Sequence, residues 1–143
     1  MRERNRHTML DDKQRGLLDK QAFAKLVTLM PDGHPHGTVM WYRREGDTVR
    51  MMAPESAVKT KNLDRDPRAT VVVDDPDSGY SYVELRCRCE VVHDDAAARE
   101  ELHHIASRYI GADKAPDFVA ALDDAPRAMF IFHPFRVQGQ IRD

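Results

Sequence analysis

The stretch VRMMAPESAVKTKNLDRDPRATVVVD, residues 49–74, decides the fold of this chain. Its opening residues 49–52 are apolar and strand-like, and Pro54 cannot continue a strand ladder. The residue before a proline is disfavoured in the helical region, so Asp66-Pro67 predicts the end of a helix over residues 56–65. The apolar run 69–73 predicts a buried strand. The stretch therefore predicts strand, tight turn, short helix, tight turn, strand.

The start of that helix has the composition of an anion site. Ser56 is the predicted N-cap, because its hydroxyl can accept a free amide hydrogen of the first turn. Lys59 follows three residues later, with Lys61 and Asn62 close behind. A helix N-terminus carries free amide hydrogens and a partial positive charge, and a lysine adds a full charge. The pattern favours a phosphate here; the alternative is an amphipathic surface helix with solvated lysines.

The rest of the chain alternates between strand patterns and turn signals. Residues 80–93 alternate polar and apolar side chains, which is typical of an antiparallel strand with one solvated face. The remaining predicted elements are a helix at 10–20, strands at 22–30, 36–42 and 48–52, a helix from Asp94-Asp95 to about Tyr109, a short helix at 116–123, and a final strand pair at 129–132 and 136–141 broken at Pro134. About seven strands with three or four helices predict an α+β fold, an antiparallel barrel or meander with helices at its edges.

Length and charge set the broad class of the protein. The 143 residues predict one domain, residues 1–143, with residues 1–9 flexible. A net charge of -2 gives no support for nucleic-acid binding, and no apolar run approaches the length that spans a membrane. With two cysteines and no pattern of an export signal, we expect the cytoplasm.

Cysteine and histidine do not form a metal-binding pattern. Cys87 and Cys89 share one strand face, and we interpret them as small buried residues. His34 and His36 could bind zinc, but no further ligand array accompanies them, so we expect no metal site. The nucleotide fingerprints GxGxxG and GxxxxGK[ST] are missing from the sequence.

Two aromatic pairs stand near the predicted sheet edges. Trp41 and Tyr42 end a predicted strand on opposite faces, so one should be core, and a lone tryptophan is the better candidate. The other could line a planar-ligand site or a subunit interface. Tyr80 and Tyr82 share a face after the loop 75–79 and could be surface residues, a dimer contact or a stacking wall.

Three segments together resemble the pyridoxamine-phosphate-oxidase-like split β-barrel proteins, and the branch described as F420-dependent most of all. The segments are VTLMPDGHP (residues 27–35), KTKNLDRDPR (59–68) and YSYVELR (80–86). The likeness covers roughly residues 10–140, and the lysine-to-proline segment is its most specific part.

The resemblance implies a split β-barrel with flanking helices that forms a homodimer, with a flavin or deazaflavin at each subunit interface. It places the cofactor's ring against the strand residues Thr38, Val39, Met40 and Trp41. It also implies that Tyr80 and Tyr82 of each subunit reach the cofactor site of the other subunit. It places the cofactor's phosphate on the turn and helix made of Ala53, Ser56, Ala57, Val58, Lys59, Thr60, Lys61 and Asn62.

The chain departs from the family pattern at three of these positions. The deazaflavin branch usually carries threonine at the place of Ala53 and arginine at that of Ala57, and the flavin mononucleotide (FMN) branch usually has arginine at that of Val58. Lys61, Ser56 or Thr60 could compensate. The resemblance implies an oxidoreductase that uses coenzyme F420, or alternatively FMN, to transfer a hydride to a small unsaturated or conjugated organic substrate, with no catalytic residue identified. The alternatives are a non-catalytic protein that binds a planar ligand, and a dimeric interaction module without ligand.

Overall fold

The computed structural model describes residues 9–142 as one curved antiparallel sheet with helices packed on it. The strands are β1 (Ala24–Leu29), β2 (Pro35–Met40), β3 (Arg43–Glu45), β4 (Thr48–Pro54), β5 (Arg68–Asp74), β6 (Tyr82–Val92) and β7 (Arg127–Gln140). The helices are α1 (Asp12–Leu18), α2 (Val58–Arg65), α3 (Asp95–Ile110) and α4 (Ala115–Ala120). The predicted α+β class is confirmed.

The strand order β2-β1-β5-β6-β7-β4-β3 makes the two edge strands neighbours in the chain. Only Trp41 and Tyr42 separate the end of β2 from the start of β3. Since two residues span a few ångströms, the sheet must curl until its edges approach each other. The edges are not joined by a ladder, which is the arrangement of a split barrel.

The interior of the curl is filled by one face of each long strand. On β6 the odd-numbered residues Val83, Leu85, Cys87 and Cys89 are buried and the even-numbered ones are not, as the alternation predicts. The largest fully buried side chains include Tyr42, Phe130 and Phe132. These side chains belong to one continuous hydrophobic core.

Local signals set the helix ends. Asp11 and Gln14 form a capping box at α1, and Asp94 accepts the amide hydrogen of Ala97 at α3. Gly111 ends α3 with a φ of 96°, a region that favours glycine. Helix α3 packs on β4 and β7, and its buried Glu101 pairs with Arg43 at the edge strand β3.

The predicted pair of final strands is wrong, because β7 is a single strand that runs through Pro134. Arg86 faces Arg136 and Cys87 faces Pro134, so Phe135 is an extra residue, a β-bulge. Strand β4 pairs with β7 only as far as Phe132, so the missing amide hydrogen of Pro134 interrupts no ladder on that side.

The prediction of a flexible N-terminus falls mainly on residues 1–8, which lie outside the described residues. Met9 already donates its amide hydrogen to the Asp47 carboxylate at 2.9 Å, and Leu10 is part of the core.

Candidate functional site

Helix α2 starts later than the sequence predicts, and Ser56 is not its cap. Ala57 takes the N-cap position in an extended conformation and makes no side-chain capping bond, while Ser56 is exposed. The Ala57 amide donates to the Pro54 carbonyl at 3.1 Å, so residues 54–57 form a turn, and Ser56 lies inside this turn. Within residues 9–142, no acceptor meets the amide hydrogens of residues 58–60.

Lys59 lies at this open helix end and is half-buried. Burial alone lowers the pKa of its ammonium group. Among the described residues no carboxylate lies within ion-pairing distance of it, whereas its neighbour Lys61 is exposed. A half-buried cation beside free amide hydrogens is what an anionic ligand requires.

The two other polar residues of this helix bond inside the chain. The Thr60 hydroxyl donates to the Pro54 carbonyl at 2.7 Å. The Asn62 amide donates to the Thr28 hydroxyl at 3.0 Å, and both side chains are buried. These bonds hold α2 against β4 and β1. The backbone of Ala53, whose side chain is buried in the core, and the exposed Val58 flank the same corner.

The predicted ring-binding residues lie on β2, which pairs only with β1 and so leaves one strand edge free. Val39 is 66% exposed on this strand, and Met40 packs against the core. The Thr38 hydroxyl is buried and has no hydrogen-bond partner within the described part of the chain. The strand ends at Met40, so Trp41 lies beyond it.

The preference for Trp41 as the core residue is wrong. Tyr42 is fully buried, and its hydroxyl donates to the Leu18 carbonyl at 2.6 Å, a bond that tryptophan could not make in the same way. Trp41 is half-buried and stacks on Tyr109 with ring centroids 4.8 Å apart, while Phe118 covers it at 5.5 Å. Two aromatic rings of this chain therefore pack against Trp41, which leaves less of its surface open to a ligand.

Tyr80 and Tyr82 are exposed at the start of β6. Tyr80 precedes the strand, and the guanidinium of Arg142 lies 5.5 Å from its ring centroid. Next to Trp41 lies an apolar cleft between β2, β4, α3, α4 and β7, and neither tyrosine lines it.

An apolar cleft of about 280 Å³ lies beside Met40 and Trp41, at the end of the predicted ring-binding stretch, and none of the predicted phosphate-binding residues lines it. It is lined by Met40, Trp41, Met52, Pro54, Leu102, Ile105, Phe118, Leu122 and Arg127. The sequence did not predict seven of these, from Met52 to Arg127. Met52 could have been predicted from the sequence. On β4 it alternates with the buried Met51 and Ala53 and therefore faces outward although it is apolar, which implies that something covers it.

Arg127 gives the cleft its one cation among the described lining residues. It is 7% exposed, and its Nη1 donates to the Asp123 carboxylate at 2.7 Å and to the Ala125 carbonyl at 2.7 Å. Its Nε is buried without an acceptor in residues 9–142. The cleft can therefore hold a flat apolar molecule and offers positive charge to an anionic or carbonyl group.

Metal ligands and reactive thiols are not part of this corner. Across residues 9–142, no three histidine, cysteine, aspartate or glutamate side chains are grouped as a metal site. Cys87 and Cys89 are buried free thiols, and desolvation raises the pKa of Cys87 to about 12. No helix in the same range is both long and apolar enough to cross a membrane.

Comparison with known proteins gives one family and a set of similar folds. The family model described as pyridoxamine 5'-phosphate oxidase matches residues 10–141. A solved structure described as an F420 reductase is 26% identical, with a TM-score of 0.74, and the match covers 92% of this chain and 100% of that one.

Two further structures show the fold alone. A conserved hypothetical protein from Mycobacterium tuberculosis is 24% identical with a TM-score of 0.77, over 92% of this chain and 84% of its own. A heme-binding protein from Mycobacterium smegmatis is 21% identical with a TM-score of 0.67, over 88% of this chain and 51% of its own.

Proposed function

Because the chain belongs to the pyridoxamine 5'-phosphate oxidase family, we propose that it is an oxidoreductase that binds a deazaflavin or flavin and reduces a small conjugated organic molecule. Coenzyme F420 is the first candidate, since the F420 reductase shares 26% of its residues with this chain over the whole of that protein. FMN is the alternative. When bound, either cofactor supplies hydride transfer, which protein side chains cannot perform.

The observation that carries the proposal is Lys59. Its half-buried ammonium group has no carboxylate partner in residues 9–142, and the amide hydrogens of residues 58–60 beside it are free. A phosphate there would accept those hydrogens and restore the charge that burial disfavours. Lys59 would hold the phosphate, and Ser56 and Lys61 are exposed on the same turn and helix.

The free edge of β2 would hold the ring. On alternate residues its backbone amide and carbonyl groups point away from β1, with no strand of residues 9–142 beside them, and the buried Thr38 hydroxyl has an unused hydrogen-bonding capacity. The apolar cleft beyond Trp41 would then receive the substrate, with Arg127 facing an anionic or carbonyl group of the conjugated molecule. Met40 and Met52 are flexible side chains that can adapt to its shape.

We place the active form as a homodimer, with Tyr80 and Tyr82 of each protomer on the other's cofactor. Both tyrosines are exposed in the single chain, which is the state expected of residues that a second copy covers. Light scattering of the purified protein at several concentrations tests this, and a monomer that binds cofactor normally would remove the two tyrosines from the site.

A planar-ligand carrier without turnover is the second candidate. Ala57 and Val58 contribute no charge where the family's flavin-binding members carry arginine, so one or two phosphate contacts are missing. A lost charged hydrogen bond costs about 1.5–3 kcal/mol, roughly ten- to a hundred-fold in affinity.

Paired titrations test the proposal. F420 and FMN are added separately while the fluorescence of Trp41, the one tryptophan of the chain, is followed. We expect saturable binding, tighter for F420. Reduced F420 is then mixed with conjugated acceptors that differ only in a carboxylate, and its reoxidation is recorded. Binding without reoxidation by any acceptor supports the carrier, and no binding of either cofactor contradicts both functions.

A further inference from the structure

Four arginines project from the outer face of the sheet, away from the cleft beside Trp41. They are Arg68 on β5, Arg86 and Arg88 on β6, and Arg136 on β7. Arg68 lies directly opposite Arg88, and Arg86 lies directly opposite Arg136. Directly opposite residues share a face, so the four side chains form one group, here called the arginine patch.

The arginine patch is only partly neutralised by its own neighbours. Arg68 pairs with Asp66 at 2.8 Å, and Arg86 is 3.7 Å from the Glu84 carboxylate, so two carboxylates face four guanidinium groups. Arg136 donates to the neutral Gln138 at 3.3 Å, and within residues 9–142 the Arg88 side chain has no hydrogen bond or ion pair. Like charges that face each other across two strands destabilise a sheet. The chain as a whole has a net charge of -2, so this concentration of positive charge is local.

A cavity of about 230 Å³ lies within the arginine patch. Arg68 and Arg86 line it together with Thr70, and Val27, Leu29 and Phe135 form its apolar wall. Phe135 is the extra residue of the β-bulge and is 62% exposed. Bulges re-aim side chains beside binding sites, and here the bulge sets an aromatic ring next to Arg136.

We propose that the arginine patch is a second ligand site, which binds a small anion that carries a flat apolar group. The acidic part, a phosphate or a carboxylate, lies between the guanidinium groups of Arg68 and Arg86, which line the cavity and recognise both chemistries through paired N–H donors. The apolar part lies on Phe135, Val27 and Leu29. The patch shares no lining residue with the cleft beside Trp41, so the inference does not depend on the proposed oxidoreductase activity.

Calorimetric titration of the full chain at constant ionic strength tests the site. The probes are inorganic phosphate, phenyl phosphate and phthalate. We expect saturable binding of one phenyl phosphate per chain, several-fold tighter than inorganic phosphate, because the ring is buried on Phe135. Whether phenyl phosphate or phthalate binds more tightly distinguishes a phosphate ester from a carboxylate as the natural ligand class.

Single variants separate the two halves of the site. Arg86→Gln is expected to weaken all three probes about ten-fold, since one charged contact at the cavity wall is lost. Phe135→Ser is expected to remove only the advantage of phenyl phosphate over inorganic phosphate. Lys114→Gln, an exposed cation at the start of α4, is the matched control and should leave binding unchanged.

The stability of Arg86→Gln provides an independent readout, because Arg86 faces Arg136 across two strands. Removing one of two opposed positive charges should leave the melting temperature of the ligand-free protein equal or higher. Lys59→Ala should bind phenyl phosphate like the wild type. The proposal is overturned if no probe saturates, if Lys114→Gln loses as much affinity as Arg86→Gln, or if Arg86→Gln changes the oligomeric state while binding is unchanged.

Discussion

Two corners of the same sheet each hold a buried or half-buried cation, and the two cations differ in whether a carboxylate pairs with them. At the β3–α3 corner, Arg43 meets the carboxylate of Glu101, whose side chain is 4% exposed, with a second contact at 3.0 Å. At the β4–α2 corner, Lys59 is half-buried with no carboxylate partner in residues 9–142. The first cation holds a helix on the sheet, whereas the second is left to a ligand. Cations that stabilise the fold and cations that bind can therefore be distinguished by their partners.

The largest effect is expected at the paired corner. Glu101→Ala removes the buried carboxylate that both Arg43 and Arg50 contact and leaves Arg43 paired with Glu45 alone, and we expect a loss of about 3 kcal/mol in the free energy of unfolding. Urea unfolding measures it. Glu100→Ala, on the exposed face of the same helix, should change stability by less than about 0.5 kcal/mol. Equal losses in the two variants would mean that the buried pair is not what holds α3.

Asn62 tests whether the ligand corner is itself held by neutral bonds. Asn62→Ala removes the donor to the buried Thr28 hydroxyl, and we expect a loss of about 2 kcal/mol in the free energy of unfolding. Unfolding curves give the loss, with Lys61→Ala as the exposed neighbour that should show almost none. An unchanged stability would reassign Asn62 from holding α2 to contacting ligand.

Lys59→Ala should weaken cofactor binding without lowering stability, which is the reverse of what the two preceding variants do. We expect cofactor affinity to fall about ten-fold, equivalent to about 1.4 kcal/mol, because a charged contact to phosphate is lost. Stability should not fall, since the ammonium has no partner to lose in the described chain. Fluorescence titration and urea unfolding of the same preparations measure both, again with Lys61→Ala for comparison. An unchanged dissociation constant removes Lys59 from the site.

The smallest effect on stability is expected from an exposed histidine that bridges two carboxylates. His93 donates from Nδ1 to Glu55 and from Nε2 to Asp64, each at 2.9 Å, so it links both ends of the ligand corner. Only the protonated ring can donate from both nitrogens, and the bonds to Asp64 and then Glu55 raise its pKa above the usual 6.5.

The sign of the pH dependence follows from that direction. The stabilisation is complete below about pH 6.5 and is lost as the pH rises through the raised pKa of the folded state. Urea unfolding of the wild type and His93→Gln from pH 5.5 to 9 should therefore show a difference that shrinks toward alkaline pH. A difference that is constant with pH would contradict the imidazolium bridge.

The strand pattern was predictable from the sequence because it depends on neighbours along the chain. The alternation of β6, the end of α2 at Asp66 and the start of α3 at Asp94 all follow from local backbone and side-chain preferences. These signals were enough for the α+β class and an antiparallel sheet with helices at its edges, whereas the split barrel was implied by the family resemblance.

The errors and omissions arise where distant segments meet. Ser56 lies in a turn and not at the N-cap of α2. The preceding residue, Glu55, donates its amide hydrogen to the Pro126 carbonyl at 2.9 Å, a contact between distant segments that local sequence cannot reveal. Tyr42 displaces Trp41 from the core because α1 presents the Leu18 carbonyl to its hydroxyl. The walls of the cleft come from β2, β4, α3, α4 and β7, so only the folded chain brings Met52 and Arg127 together.

The extra residue in β7 also reverses the odd-even count of that strand. Before it, the even-numbered Phe130 and Phe132 enter the interior; after it, the odd-numbered Val137 packs against the core. Deleting Phe135 would put Arg136 directly after Pro134 and still opposite Arg86, so the strand would regain a regular alternation with Val137 inward. A one-residue deletion elsewhere in the strand would instead turn over the side chains beyond it, so Phe135 marks the position at which this strand accommodates a change of one residue in length.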